Sequence, residues 1–517
     1  MGRSRGGLTT KIHALVDANG EIVEERRVIP LPGGAARTYV TRYEHDTWNR
    51  VQRMTYPDGE VVTYNYDSGG LLRRATGVDG GNSYIYAARV EYDKFGQRLF
   101  MSAGNGTATR YAYDPLDRRL ATLDARLPSG YRFHDVAFTY DDVGNVTQLQ
   151  NRAATPGGQP GIGNELGGPW LKTYVYDDLY RLVSSTGRHN TKADETRTYT
   201  FAQAYNSIHN ITRKTQRHEF KGAVITDTTY DYAYTYPAAG APRPHGPTTI
   251  GSFNIAHDVN GNQIRTQLGS TSQVLQYIFD DENRLTCHHE DVVAALPQLP
   301  TSCDEVGEDP KVAFVYDHAG MRKRKDSSTF HFYPNQFYTQ VGDSSFKHVF
   351  IGETRLLSKL QQGGTSIEDI KWFFHPDHLG STSIVTSEKG ELADHIHYFP
   401  YGETWLQERP NLPVPYQFSA KEFDPETGFY DFGARHLNPR FSKWMSADPA
   451  LGDYLSTPTG VQTPGNMALY GYSWNNPGDA ARSRWPDRVR AGHPRRDLGG
   501  RQSLRCLRGL PRHPRHP

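Results

Sequence analysis

The sequence predicts an all-β protein that is built from repeated β-hairpins. Three observations predict this fold class. A short unit, aromatic-x-aromatic-Asp followed by Gly and an aliphatic residue, recurs along much of the chain. The composition favours turns and strands, with 50 glycines and 32 tyrosines,. Apolar residues make up only 36% of the 517 positions, so much of the buried area has to come from tyrosine rings.

The repeated unit occurs roughly ten times, with its Asp positions about 21 residues apart or farther where a segment is inserted. Aromatic residues at i and i+2 share one face of an extended strand, so each unit offers two rings for burial, while the residue between them faces the other way. The copies carry the following aspartates or their equivalents: Asp46, Asp67, Asp93, Asp114, Asp141, Asp177, Asn206, Asp258, Asp280 and Asp317.

Each unit is predicted to be a strand, a tight turn and a returning strand. The Asp carboxylate can accept hydrogen bonds from its own downstream backbone, and a following Gly accepts a positive φ. The returning strand begins with Arg or Asn and an aliphatic residue, as in Arg181-Leu182, which we expect to pair across the hairpin with the incoming tyrosines,. The glycines assigned to these turns are Gly69, Gly96, Gly144, Gly261 and Gly320.

Charge and targeting signals exclude several function classes. The chain has 58 basic and 57 acidic side chains, a net charge of +1, which makes nucleic acid or an anionic membrane unexpected as a partner,. No apolar stretch is long enough to span a membrane, and no Sec signal peptide is present. Of the three cysteines, Cys287 and Cys303 can form one disulfide, which leaves the redox compartment open.

The repeats resemble the YD repeats of bacterial rearrangement-hotspot (RHS) and wall-associated proteins, of Tc toxin C subunits and of animal teneurins. Residues 375–382, 398–403, 417–435 and 470–477 resemble the RHS repeat-associated core region more specifically. The resemblance implies a YD-repeat β-hairpin spiral that forms part of a hollow RHS shell, or cocoon. In that family the core region closes one end, and a variable C-terminal toxin lies inside.

Four regions are expected. Residues 1–35 resemble a short internal segment of an insertion-sequence DDE transposase, in which Asp17 alone cannot build the three-carboxylate site. Residues 36–335 are the YD repeats, and residues 336–477 are the core region. Residues 478–517 are rich in Arg and Pro, contain no tyrosine or lysine, and lack the Asp-Pro-x-Gly-Leu cleavage element of the family. We expect this tail to be disordered; a nucleic-acid-binding arm is the less favoured alternative.

We expect no catalytic, cofactor-binding or metal-binding residues, and no enzyme activity. His375 with His378 invites a zinc site, as does the Cys287-His288-His289 segment with Cys303, but neither set supplies four ligands at structural-site spacing. The carboxylates in the core region are interpreted as parts of a turn and not as an acid–base pair; they are Glu422, Asp424, Glu426 and Asp431.

The predicted function is that of a truncated structural shell for encapsulation and delivery of a C-terminal toxin, with the toxin itself missing. The partners of intact relatives would be the encapsulated toxin and secretion-system components. An open sheet edge would also allow self-association. The family suggests a secreted or cell-surface location by a non-Sec route. The alternative is a cell-surface module that binds glycans through exposed tyrosine rings.

Overall fold

A computed structural model describes residues 11–155, 166–192, 195–269, 273–292, 300–306, 311–362, 370–410, 412 and 414–478. A single antiparallel sheet of 33 strands dominates the described part of the chain. The all-β prediction is therefore confirmed.

The first half of this sheet is a meander in which each strand pairs with the next. Its strands are β1 (Lys11–Val16), β2 (Ile22–Pro30), β3 (Ala36–His45), β4 (Val51–Thr55), β5 (Val61–Tyr66), β6 (Leu72–Asp79), β7 (Asn82–Tyr92), β8 (Arg98–Ala103), β9 (Ala108–Tyr113), β10 (Leu120–Arg126), β11 (Arg132–Tyr140), β12 (Val146–Asn151), β13 (Trp170–Tyr176), β14 (Leu182–Lys192), β15 (Glu195–Tyr205) and β16 (Ile211–Phe220).

The second half continues the meander, except that β16 pairs with both the short β17 and β18. Its strands are β17 (Ala223–Val224), β18 (Tyr230–Thr235), β19 (Thr249–Ile250), β20 (Phe253–His257), β21 (Gln263–Leu268), β22 (Gln273–Phe279), β23 (Leu285–Val292), β24 (Lys311–Tyr316), β25 (Arg322–Asp326), β26 (Phe330–Asn335), β27 (Tyr338–Val341), β28 (Ser344–Ile351), β29 (Thr354–Gln361), β30 (Ile370–Pro376), β31 (Thr382–Thr386), β32 (Leu392–Tyr398) and β33 (Thr404–Gln407).

The end of the described chain forms a second, four-stranded sheet and several short helices. The strands are β34 (Glu422–Asp424), β35 (Phe429–Asp431), β36 (His436–Asn438) and β37 (Lys443–Trp444), and the helices are α1 (Leu451–Leu455) and α2 (Pro458–Val461). The 3₁₀ turns are Thr226–Thr228, Cys303–Glu305, Phe418–Ala420, Pro464–Met467 and Tyr472–Asn475. No helix of the described residues is long and apolar enough to cross a membrane.

The core forms where strands of the first half meet strands of the second half. Met54 and Val62, on β4 and β5, share one buried cluster with Phe332 and Leu357, on β26 and β29. A second cluster joins β10–β13 to β31 and β32. Burial of these apolar side chains stabilises contacts between segments that lie far apart in the sequence.

The sheet continues across the predicted domain boundaries. β1 and β2 lie within residues 11–35 and pair on into β3, and β26 pairs with β27 near residue 335. The four-region division and the transposase-like origin of residues 1–35 remain predictions, and residues 1–10 and the tail from 479 onward lie outside the described residues.

Candidate functional site

The Asp of each repeat unit builds its turn as predicted. In the turn at Asp177, one carboxylate oxygen, Oδ1, accepts hydrogen bonds from the backbone N–H groups of Leu179 (3.0 Å) and Arg181 (2.9 Å). Similar bonds occur in the other nine copies. Successive strands are antiparallel, so these turns all lie along one edge of the sheet.

A residue with positive φ closes each of these turns. The glycine prediction is right for four copies, but Gly69 does not have a positive φ, and its neighbour Gly70 does, at 86°. Several copies place a side-chain-bearing residue in this conformation, at a steric cost that glycine avoids. The residues with positive φ in the ten turns are Asn49, Gly70, Gly96, Arg118, Gly144, Tyr180, His209, Gly261, Asn283 and Gly320.

The Arg at the start of the returning strand, Arg181 in this copy, does not pair with the incoming tyrosine. Leu182 pairs across the hairpin with Tyr176, as expected. The Arg181 side chain instead donates from Nε to Asp177 Oδ2 (2.8 Å), and its guanidinium lies 4.5 Å from the ring centroid of Tyr205 in the next unit. A planar guanidinium can do both at once, because its edge donates hydrogen bonds while its face stacks.

The second tyrosine of the unit joins neighbouring hairpins. Its hydroxyl donates to a main-chain oxygen at the start of the preceding unit's returning strand, over 2.6–3.0 Å. These pairs are Tyr66 with Val51, Tyr113 with Arg98, Tyr140 with Leu120, Tyr176 with Val146, Tyr205 with Leu182, and Tyr316 with Leu285. Tyr236, which follows β18 and lies outside the ten copies, makes the same kind of contact with Ile211.

The tyrosines therefore face the interior of the protein. All 32 tyrosines lie among the described residues, and only Tyr180, at 42% exposure, counts as exposed. Of the residues between the paired aromatics, Asn65, Ala112 and Val175 are exposed, as predicted. Ile278 is an exception, because it is buried. This arrangement does not favour the glycan-binding alternative, which requires a row of exposed rings.

Buried ion pairs join early hairpins to late strands. The Lys347 and Lys359 ammonium groups lie 2.6 and 2.9 Å from Glu60 Oε2, and both contact Asp79. The Tyr56 hydroxyl donates to the main-chain oxygen of His348 at 2.9 Å. Burial alone would raise the pKa of Asp79. The ammonium groups of Lys359 and Lys347 lower it by more, so the pKa of Asp79 lies below its usual value. We call this set of contacts the closure contact.

The core-region carboxylates are held by one buried arginine. Arg322 contacts Glu422 (2.9 Å), Asp424 (2.6 Å) and Asp431 (3.2 Å), and Lys325 contacts Asp424 and Glu426. These carboxylates therefore tie the four-stranded sheet to β25. Burial raises the pKa of Glu422. Burial also acts to raise the pKa of Asp431, but Arg322, His436, Lys421 and the backbone N–H of Gly433 together bring it below its usual value.

The zinc sites considered from the sequence do not assemble. Cys287 and Cys303 form a disulfide with a Cα–Cα distance of 5.4 Å, so neither sulfur is a thiolate ligand. His375 is buried and its Nε2 lies 3.0 Å from the Thr386 hydroxyl. Burial lowers its pKa to about 3. His378 is enclosed nearby, against Phe138.

A different group of histidines does come together. One ring nitrogen from each of His189, His395 and His397 lies within 4.8 Å of the other two, and all three side chains are buried. This cluster could not be predicted from the sequence, because His189 lies on β14 and His395 and His397 lie on β32, far along the chain. The His-x-His pattern at 395–397 was the available signal, since i and i+2 share a strand face.

Comparisons with known proteins agree with this architecture. Residues 298–478 match the Teneurin YD-shell family. Toxin subunit YenC1 of Yersinia entomophaga is 26% identical over 67% of this chain and 38% of its own length. Toxin subunit YenC2 of the same organism is 25% identical over 68% of this chain and 39% of its own length. The chain thus spans less than two fifths of these relatives.

A more distant relative and a solved structure are also similar to this chain. Teneurin-4 of Homo sapiens is 22% identical over 54% of this chain and 11% of its own length. The crystal structure of TcdB2-TccC3-Cdc42 superimposes with a TM-score of 0.71 at 20% identity, covering 90% of this chain and 23% of that chain. The described fold is that of a YD shell.

Proposed function

We propose that this chain forms part of the wall of a shell that encloses a toxin. The observation that carries the proposal is the closure contact, by which one continuous sheet returns onto itself. Glu60, in the turn between β4 and β5, meets Lys347 on β28 and Lys359 on β29. The relatives named toxin subunits support an enclosing role, and this chain corresponds to part of their length.

The proposed role is structural and not enzymatic. The acidic groups of the core region are neutralised by Arg322 and Lys325, so they serve as ties between two sheets. Removal of one member of a buried ion pair strongly destabilises the folded chain, because the other charge is left buried without a partner. Such pairs are therefore suited to fix one arrangement of the chain. Self-association through the end strands and contact with secretion components remain proposals; among the described residues β1 pairs only with β2, and β33 only with β32.

The test is protease protection of a short reporter peptide fused after Pro517. The proposal predicts that the reporter in the intact fusion survives a protease concentration that destroys the free peptide. The double substitution Lys347→Met and Lys359→Met should remove protection by opening the closure contact. Lys389→Met, on an exposed turn, is the matched control and should retain protection. Equal digestion of the intact fusion and of the free peptide would overturn the enclosing role.

A further inference from the structure

The strongest unassigned feature is the cluster of His189, His395 and His397, which we call the histidine triad. His189 is 0%, His395 1% and His397 2% exposed. The ring centroids of His395 and His397 are 4.3 Å apart, and that of His189 lies 5.3 and 5.2 Å from them. Three imidazoles so close together in a buried site are ligands of the type that zinc and its neighbours in the transition series prefer.

Hydrogen bonds to the outer nitrogens orient two of the rings. His395 Nδ1 lies 2.9 Å from a carboxylate oxygen of Glu408, and His189 Nε2 lies 3.2 Å from the main-chain oxygen of Gly167. Metal-ligating histidines usually donate their second ring N–H to a carboxylate or a backbone carbonyl in this way. With its Nδ1 as the donor to Glu408, the Nε2 atom of His395 is the ring atom that would accept a metal.

The third ring carries an independent sign of a ligand. His397 Nε2 is buried and has no hydrogen-bond partner among the described residues. An unpaired buried polar atom is unfavourable, and each such atom in a native structure calls for a physical explanation. The Trp170 and Trp405 rings lie 5.3 and 5.4 Å from the His397 ring, so the surroundings are otherwise largely apolar.

We propose that the histidine triad binds a zinc ion that links β14 to β32. Zinc–nitrogen bonds are about 2.0–2.1 Å long, so the three ring nitrogens must move together by about an ångström from their present separation. Glu408 supplies a negative charge behind His395 that offsets part of the charge of a dication. The ion would then form a second link between the first and second halves of the sheet, in addition to the closure contact.

Lys172 is a nearby positive charge that opposes this ion. Its ammonium donates to the main-chain oxygen of Tyr398 at 3.1 Å and lies 5.6 Å from the ring centroids of both Trp170 and Trp405. Burial lowers the pKa of Lys172 to about 8, so the group can lose its proton at moderate cost. Replacement by the uncharged Met should therefore strengthen zinc binding.

The test uses the full-length chain, stripped of metal in chelator and refolded with or without zinc chloride. Zinc is measured by elemental analysis after removal of free metal, and the unfolding midpoint by differential scanning fluorimetry. The proposal predicts about one additional zinc per chain and a rise in midpoint of about 2–4 °C when free zinc is near 100 times the Kd. His397→Gln should lose both effects, and His331→Gln, on β26, should keep both.

Cobalt(II) gives a second readout that does not depend on stability. The wild-type chain should show the visible absorption of cobalt bound at low coordination number, and His397→Gln should not. Lys172→Met should lower the zinc concentration at half-saturation by about tenfold or more, as expected when a like charge is removed from a buried site. Histidines of the tail can bind metal in any variant. The test is therefore the difference in zinc content and in cobalt spectrum between the wild type and His397→Gln. Equal zinc content and equal cobalt spectra in these two chains would overturn the proposal.

Discussion

The hydroxyl of Tyr140 donates a hydrogen bond to the main-chain oxygen of Leu120, 2.9 Å away, and so joins one hairpin to the hairpin before it. The same contact recurs from unit to unit along the sheet. It accounts for the tyrosine that ends most copies of the unit; Phe279, which ends one copy, has no hydroxyl to donate. The ring fills the interior, and the hydroxyl donates to a main-chain oxygen beside the turn,.

Tyr140→Phe should therefore destabilise the chain by about 1 kcal/mol, because it removes this hydrogen bond and leaves the Leu120 carbonyl without its partner. The measurement is the free energy of unfolding in urea. Tyr180→Phe is the control, since Tyr180 is 42% exposed, and it should have almost no effect. An equal effect of the two substitutions would contradict the role of the hydroxyl.

The turn carboxylates give a second prediction. Asp141 accepts from the backbone N–H of Asn145 and from its side-chain amide, each at 2.7 Å. Asp141→Ala should cost about 1–3 kcal/mol of unfolding free energy, as is typical for hydrogen bonds to a charged group. The adjacent Asp142 is exposed, so Asp142→Ala should change stability by less than about 0.5 kcal/mol.

These turns could be predicted from the sequence because their physics is local. Asp141 and Asn145 lie four residues apart, and the same side-chain-to-backbone geometry repeats in each copy. The alternation of buried and exposed positions is likewise a property of one strand. The same local information did not give the role of Arg181, because its stacking partner, Tyr205, belongs to the next unit.

The attachment of the core region depends on Arg322. Arg322→Met would leave Glu422, Asp424 and Asp431 buried without their principal counter-charge, and loss of one partner of such a set costs about 3–5 kcal/mol. We expect the region around β34–β37 to become sensitive to protease before the repeats do. Arg213→Met is the control, because its pair with Asp231 is exposed on both sides and should contribute at most about 1 kcal/mol. Identical protease patterns for the two variants would show that Arg322 does not anchor the core region.

Contacts of this kind could not be predicted from the sequence. Nothing near Arg322 indicates that Glu422 and Asp431 will be its partners, since the pairing depends on how far the sheet has curved after many hairpins. The contact between Glu60 and Lys347 and the meeting of His189 with His395 have the same origin. A small change in twist per strand, summed over the sheet, would bring different residues together.

Acid should destabilise the chain through its buried histidines. Burial lowers the pKa of His375 from its ordinary 6.5 to about 3, so below pH 6.5 the unfolded chain binds a proton there that the folded chain does not. The stability that follows from this neutral imidazole is complete above about pH 6.5 and is lost as the pH falls toward 3. His375→Gln should reduce the slope of unfolding free energy against pH by up to about 1.4 kcal/mol per pH unit between pH 6 and 4.

The control for this slope is His13→Gln, since His13 is exposed on β1. It should leave the pH dependence as in the wild type. A slope that is unchanged by His375→Gln would mean that other groups account for the acid sensitivity. His189, in which burial likewise lowers the pKa to about 3, is the next residue to test.

Limited proteolysis of the purified chain, read by intact mass, tests the central claim most directly. If the described residues form one continuous YD-shell wall, protease should trim the ends and leave a resistant fragment that keeps the repeats and the core region together, with a C-terminus near Gly478. Cleavage within single loops should leave the pieces associated, because the closure contact and the Arg322 network join the two halves. Rapid digestion throughout the repeats, or separation of the core region from an intact repeat fragment, would contradict the account.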